Sequence, residues 1–408
     1  MSFLANPVLM NQIFLALIPT FAVSSQSLLD LALSALFLSL IFVFAKKRQI
    51  LVIEKIGIEW AFLGYMITIV LGFWLNASPD AEWLDSAIKF SWVLNLYILI
   101  FGLQTTQLDS TKILKALSAG TLIPTLYSLA SYMYGVDLIT GRNNHRITGM
   151  VNSATYHAHG NAIIFVFLAC CLYFSFKKLK LNWKIFAVSS FLLLGTSILL
   201  TFTRGIWISI FVSSAIILLI LDRKKFLVFI AGTLILGGIA FQTLPKLREG
   251  VDPVARAASV EERVSFIQLN LQMWKQYPLL GIGYGENLRR CREYWDRPEW
   301  NKPADYNVSH AHNQYLNVLS TTGLFGLFFF AMFFLYFIYK NIKLLLKTSS
   351  ELSPERWALL IGCLWAQIEF AIACLTDVSF EYAKIRTLIL IVWALVVVIE
   401  KKPAVVKE

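Results

Sequence analysis

Three residues of this chain have types and settings suited to chemistry on a phosphorylated, hydroxyl-bearing substrate. Arg204 stands in Thr201-Phe202-Thr203-Arg204-Gly205-Ile206-Trp207, between two apolar runs with almost no polar chain to carry it into water. There it either snorkels to an interface or holds a fixed guanidinium at the mouth of a cavity, where its planar fork suits bidentate phosphate binding. Arg263 follows a Ser-x-x-Glu capping box, Ser259 to Glu262, with Val264, Ile267, Leu271 and Trp274 at helical spacing up to Pro278. That pattern predicts an amphipathic helix on a membrane surface with Arg263 in its first turn. A cation there opposes the helix dipole, so it either meets an anion or pairs with Glu261 or Glu262. His312 closes the same polar stretch, where an imidazole can take a proton from a hydroxyl. An isolated histidine is also an ordinary structural residue, and its context has to decide.

The elements that position these residues are membrane helices. Of 408 residues, 57% are hydrophobic and 15% charged, with a mean hydropathy of +0.65, which excludes a soluble domain of average composition. Spanning helices need roughly 20 mostly apolar residues. The runs at 8–24, 28–45, 57–76, 87–103, 114–134, 160–176, 185–202, 205–221, 226–244, 315–339, 357–376 and 384–400 meet that need. The expected fold is an all-α integral membrane protein of about twelve transmembrane helices with one large outside loop containing amphipathic helices. Its parts are nine helices in 1–244, the loop in 245–314, and three helices with a tail in 315–408. The first run has no cleavage site and reads as a retained span.

With the N-terminus inside, the short inner loops carry twenty Lys and Arg against six in the short outer ones, and the outer segment holding Asp80, Glu82 and Asp85 is acidic. Both termini are therefore expected in the cytoplasm. Most of the net charge of +11 then belongs to topology, and no nucleic-acid partner is implied. Four cysteines fall in spans and Cys291 in the loop, so no disulfide is expected.

By this topology all five histidines, His145, His157, His159, His310 and His312, lie in or beside outer segments. A transporter would place ionisable groups near the midplane on broken helices, and apart from Glu369 the charges gather at one interface instead. Glu369 either pairs within the bundle or faces a polar cavity. Gly281-Ile282-Gly283-Tyr284-Gly285 lacks the strand and spacing of a phosphate loop and reads as a tight turn. Secondary candidates for substrate contact are Arg142, Arg146, Arg289, Arg290, His310 and Asp377. Glu286 and Glu293 are placed to pair with the arginines of the loop, and most of the His145 to His159 stretch reads as interfacial loop. No carboxylate cluster has metal-ligand spacing, and Asp80 and Asp85 bracket a surface loop.

His312-Asn313, nine residues, Gly323, two residues and Gly326, the run HNQYLNVLSTTGLFG, resembles the H-[NSQ]-x9-G-x2-[GTY] signature of the O-antigen ligases. Their superfamily also contains O-unit and exopolysaccharide polymerases. The Arg204 turn, the Arg263 helix and the Pro278-x-x-Gly281-x-Gly283 segment occur in the superfamily's order, so the resemblance covers nearly the whole chain. It implies a glycosyltransferase of the bacterial inner membrane whose site faces the periplasm. The donor would be a glycan on undecaprenyl diphosphate and the acceptor a hydroxyl of lipid A-core. Transfer would invert the sugar without metal, nucleotide or other cofactor, with His312 as base and Arg204 and Arg263 on the diphosphate. A single dominant loop late in the chain favours ligase over polymerase, and a short basic tail ending at Glu408 argues against the protein O-oligosaccharyltransferases.

Overall fold

The computed structural model describes residues 7–47, 55–77, 90–106, 108–143, 145–243, 253–295, 310–347 and 353–401. Among them the regular structure is helical, with one isolated antiparallel bridge between Val136 and Asn143. In chain order the helices are α1 (Pro7–Ala22), α2 (Gln26–Lys47), α3 (Glu59–Asn76), α4 (Trp92–Gln104), α5 (Ser110–Met133), α6 (Ala154–Ser175) and α7 (Leu181–Leu199). They continue with α8 (Arg204–Leu221), α9 (Arg223–Thr243), α10 (Pro253–Gln276), α11 (Asn287–Trp295), α12 (Gln314–Lys347), α13 (Pro354–Ala373) and α14 (Ala383–Glu400). Each apolar run named above falls on one of these helices, and eight helices are long and apolar enough to cross a membrane by length and composition. The acidic segment around Asp80 to Asp85 and the tail beyond Lys401 lie outside the described residues.

The helices are dressed for a lipid solvent. α5 buries Ser118, Thr121, Thr125, Ser128 and Ser131 at spacings of three and four, and turns Ile123, Leu126 and Met133 outward. Lipid tails are as apolar as leucine, so burying leucine between two helices gains little; small hydroxyl residues instead let backbones approach. Their hydroxyls bond their own helix, Thr121 Oγ1 to Leu117 O at 2.7 Å and Ser128 Oγ to Pro124 O at 2.6 Å. Leu31, Trp74, Leu181 and Val228 are among the large side chains left on the outside, an apolar exterior that water would not tolerate. All five cysteines are buried thiols.

An aromatic cluster stiffens the centre. Trp393 of α14 stacks on Phe337 of α12 with ring centroids 4.5 Å apart, and Phe334 stacks on Phe370 of α13 at 5.9 Å. Phe380, in the connection between α13 and α14, meets Trp92 and Phe330 edge-on at 5.2 and 5.3 Å. Such contacts each add about 0.5–1.5 kcal/mol beyond the area they bury.

The segment between α9 and α12 has its own small core of Phe266, Leu269, Met273, Ile282, Cys291 and Trp295. Here the sequence expectation needs correction. α10 begins at Pro253, so Ser259 lies inside the helix and not at its cap, and Arg263 falls in its third turn. Proline pre-sets the first helical φ, and the Val-Ala-Arg-Ala-Ala that follows sustains a helix. The dipole argument for an anion at Arg263 therefore lapses. α10 is also apolar on two sides, with Phe266, Leu269 and Met273 buried and Val264 and Ile267 exposed.

The glycine-rich segment is a backbone crossing. Ile282 N donates to Ser320 O at 3.0 Å and Gly283 N to Thr321 O at 3.1 Å, while Leu324 N donates to Pro278 O at 2.9 Å and Phe325 N to Leu279 O at 3.3 Å. In an unbroken α12, Leu324 and Phe325 would donate to Ser320 and Thr321 themselves. The segment has slid between those turns and satisfies both sides of the gap. Gly323 makes the gap possible, with φ 67° and ψ −167° inside the helix. A Cβ on Gly323 would sit 2.2 Å from the Leu279 carbonyl carbon, and one on Gly281 2.3 Å from that of Thr321.

We expect Gly323→Ala to cost on the order of 2–4 kcal/mol through this overlap and the positive φ. Gly232→Ala, at a helical position with open space around it, should change little. Thermal unfolding of the two variants in detergent, compared with wild type, measures the difference.

Candidate active site

His312 is fixed by the two residues after it. Asn313 caps α12, its Oδ1 accepting Leu316 N at 2.9 Å, while its Nδ2 donates to Leu375 O at 3.1 Å. Gln314 N donates to Cys374 O at 2.8 Å, and Gln314 Oε1 accepts Phe380 N at 2.9 Å. The start of α12 is thereby stitched to the connection between α13 and α14. The stitch holds His312 at φ 48°, a left-handed conformation that costs a non-glycine residue roughly 1–2 kcal/mol.

That connection carries Asp377. His312 Nδ1 lies 3.9 Å from Asp377 Oδ1, and His310 Nε2 lies 3.6 Å from the same oxygen. The two imidazoles stand edge to face at 4.6 Å, and Phe266 of α10 packs on His312 at 5.8 Å. Tyr382 Oη is 2.8 Å from His310 Nε2, and the Tyr382 ring lies against that of Tyr156 at 3.7 Å. Asp377 is buried and its Oδ1 also accepts Val378 N at 2.7 Å. At 3.9 Å the His312 to Asp377 contact is electrostatic and not yet a hydrogen bond.

Burial first, then the neighbouring His310 and the Arg263 cation, press the His312 imidazole down to about 4 from its ordinary 6.5, with Asp377 pulling the other way. Burial likewise holds His310 down to about 4. Both rings are therefore neutral at pH 7, the state a general base needs. Arg263 lies one turn of α10 before Phe266, which packs on His312, so the same helix carries the arginine toward this site.

The other arginines divide into two groups. Gly205 packs so tightly on Thr376 that a Cβ there would fall 2.4 Å from Thr376 Oγ1. Arg204, one residue before that contact, and Asp377, one residue after it, thus share a corner. Arg146 joins it, its Nη2 donating to Thr203 Oγ1 at 3.1 Å. Arg142 stays exposed on a turn held by Asp137, whose N donates to Arg142 O at 2.8 Å. Arg289 is paired with Glu286 and, at 3.9 Å, with Glu293. Arg290 is paired with Glu293 at 2.9 Å and donates to Asn76 O at 3.1 Å. Arg290 thus binds α11 to the end of α3, and both arginines have part of their charge already met.

His157 and His159 are not in a loop. α6 begins at Ala154, capped by Ser153, so both lie in its first turns and are fully buried. Polar partners allow this: His157 Nε2 bonds Ser197 Oγ at 2.7 Å, and His159 Nδ1 bonds Ser379 Oγ. Glu369 is also fully buried, its Oε1 accepting Ser209 Oγ at 2.7 Å.

Sequence reading missed Tyr382, Tyr156 and the structural weight of Gln314. The signal that could have found the first is the polar run Asp377-Val378-Ser379-Phe380-Glu381-Tyr382, dense for a short link between two spans. It also missed that His310, His312 and Asp377 bring one ligand atom each to within 4.8 Å of one another; Asp377 is too far along the chain for a spacing rule to find.

Residues 189–331 match the family model described as O-antigen ligase. The match supports membership of the O-antigen ligase superfamily. It covers about a third of the chain, from α7 into α12, and so includes Arg204, Arg263, the crossing segment, His312, Gly323 and Gly326. Asp377 and Tyr382 lie beyond it. No curated protein matches the chain. In this chain the signature glycine Gly323 serves the backbone crossing, and the asparagine after the histidine serves the stitch.

A histidine whose folded value lies below its unfolded one stabilises the fold fully above about 6.5 and loses that contribution as pH falls toward about 4. We expect NMR of 15N-histidine-labelled protein to show His312 titrating near 4. A midpoint at or above 6.5 would mean that the ring is solvated and the site more open than described here.

Proposed function

We propose that this protein is an O-antigen ligase of the Gram-negative inner membrane. It transfers polysaccharide from undecaprenyl diphosphate to a sugar hydroxyl of lipid A-core at the periplasmic face, with twelve spans and both termini in the cytoplasm. What carries the reading is the pairing of a neutral His312 with Asp377 in the corner that also receives Arg204 and the Arg263 helix.

In this mechanism the acceptor oxygen attacks the anomeric carbon as the bond from that carbon to the diphosphate oxygen breaks, inverting the sugar. The hydroxyl proton passes to His312 Nε2. Asp377, beside Nδ1, orients the ring and stabilises the imidazolium that forms, which removes the cost of charging a half-buried ring. The electron pair leaves on the lipid diphosphate, whose growing negative charge Arg204 and Arg263 meet with forked hydrogen bonds. Arg146, beside Thr203, and exposed Arg142 extend this cationic corner toward glycan or core phosphates. Arg289 and Arg290, already paired with carboxylates, serve as weaker electrostatic contacts. The transfer step requires no metal or other cofactor, because the arginines supply the charge a divalent ion would otherwise bring.

Deletion of the gene tests the reading against an O-unit polymerase of the same superfamily. Loss of a ligase leaves lipid-linked polymer to accumulate, whereas loss of a polymerase leaves single lipid-linked units. His312→Ala should lower transfer roughly 10²–10⁴-fold, the usual worth of a positioned base, with normal membrane insertion. Near-normal capped lipopolysaccharide from this variant would remove His312 from the base role. Arg263→Lys should lower in vitro transfer roughly tenfold or more, because a point charge does not reproduce a fork. Wild-type rates would reduce Arg263 to charge screening.

A further inference from the structure

His310, His312 and Asp377 form a set that the transfer mechanism uses only in part. Their ligand atoms lie within 4.8 Å of one another, with 3.6 Å from His310 Nε2 and 3.9 Å from His312 Nδ1 to the shared Asp377 oxygen. A tetrahedral zinc ion with bonds of about 2.0–2.1 Å holds its ligand atoms roughly 3.3–3.4 Å apart. Closing the observed set onto an ion therefore shortens the two Asp377 separations by roughly 0.3–0.6 Å and the separation of the two imidazole nitrogens, at most 4.8 Å, by up to about 1.4 Å, and the fourth position stays open. Two imidazoles and one carboxylate suit zinc, nickel or cobalt, whereas magnesium and calcium favour all-oxygen sets.

We propose that His310, His312 and Asp377 bind Zn2+, and that the ion inhibits transfer. The inhibition rests on the reading of His312 as the base. As base, His312 carries its proton on Nδ1, toward Asp377, and offers the lone pair of Nε2 to the acceptor hydroxyl. A metal ion on Nδ1 takes the lone pair there, so the proton moves to Nε2. An imidazole with metal on one nitrogen and a proton on the other has no lone pair left to accept a third. No substrate bond changes and no proton is lost; the ring is locked in the wrong tautomer. Two neighbours set the affinity. Tyr382 Oη, 2.8 Å from His310 Nε2, has to give up that contact or fill the open position, and the Arg263 cation near His312 opposes a second positive charge. Both oppose tight binding.

The test uses full-length, tag-free protein in detergent, titrated with Co2+ alone and then with Zn2+. We expect one Co2+ per chain with the visible absorption of a tetrahedral site, displaced by Zn2+, and at least tenfold weaker in His310→Ala and in Asp377→Ala. Zn2+ should lower in vitro transfer at least tenfold, Mg2+ should not, and chelator should restore it. Co2+ binding that is absent at micromolar concentration, or unmoved by both substitutions, overturns the site. Binding without inhibition overturns its effect on transfer. If His312→Ala instead transfers normally, the base reading fails while the Co2+ titration still reports on the site.

Discussion

Three hydrogen bonds carry the geometry of this protein: Asn313 to Leu375, Gln314 to Cys374 and Phe380 to Gln314. Each joins the start of α12 to the link between α13 and α14, and each has a backbone group on at least one side. Gln314, Cys374 and Phe380 are buried, so leaving their groups unmet would cost about 1–3 kcal/mol apiece. The stitch is therefore both obligatory and directional. It forces His312 into a left-handed backbone and presents it to Asp377, sixty-five residues further on. The aromatic cluster behind Phe380 keeps the link from giving way.

The cationic side of the site depends on a second constraint of the same kind. The short turn between α7 and α8 lies against Thr376 through Gly205, and Arg146 reaches across to Thr203. Backbone contact at a glycine, and not a salt bridge, sets how near Arg204 comes to Asp377. Among the described residues no carboxylate forms an ion pair with Arg204, which suits a group that meets a bound anion.

Much of this was legible in the sequence, for reasons that differ by residue. Runs of some twenty apolar residues announce helices because hydrocarbon admits little else. His312, Asn313, Gly323 and Gly326 are close in sequence and could be read as a motif. Arg204 stood out because no loop could carry it away. Asp377 could be picked out only as a secondary candidate, and Tyr382 not at all, because their partners lie far along the chain and tertiary packing leaves no spacing to count. The capping box at Ser259 misled because a local pattern was read as a helix start although residues from Pro253 already sustain a helix. His157 and His159 were read as loop because a polar residue argues for water, whereas here a serine on a neighbouring element serves as well.

The crossing of Pro278–Gly283 through α12 bears on how the chain is made. That segment is synthesised before α12. As α12 enters the membrane alone, its shortest route to satisfied amides is a continuous ladder through Gly323, with Leu324 and Phe325 bonded to Ser320 and Thr321. Docking the loop then exchanges those two bonds for the four observed between the segments. Docking the segment is thus a swap of partners, one that a glycine permits and that any side chain at Gly323 would obstruct. Until the swap is made, α12 is a membrane helix like its neighbours; afterwards it is clasped by the segment that precedes it.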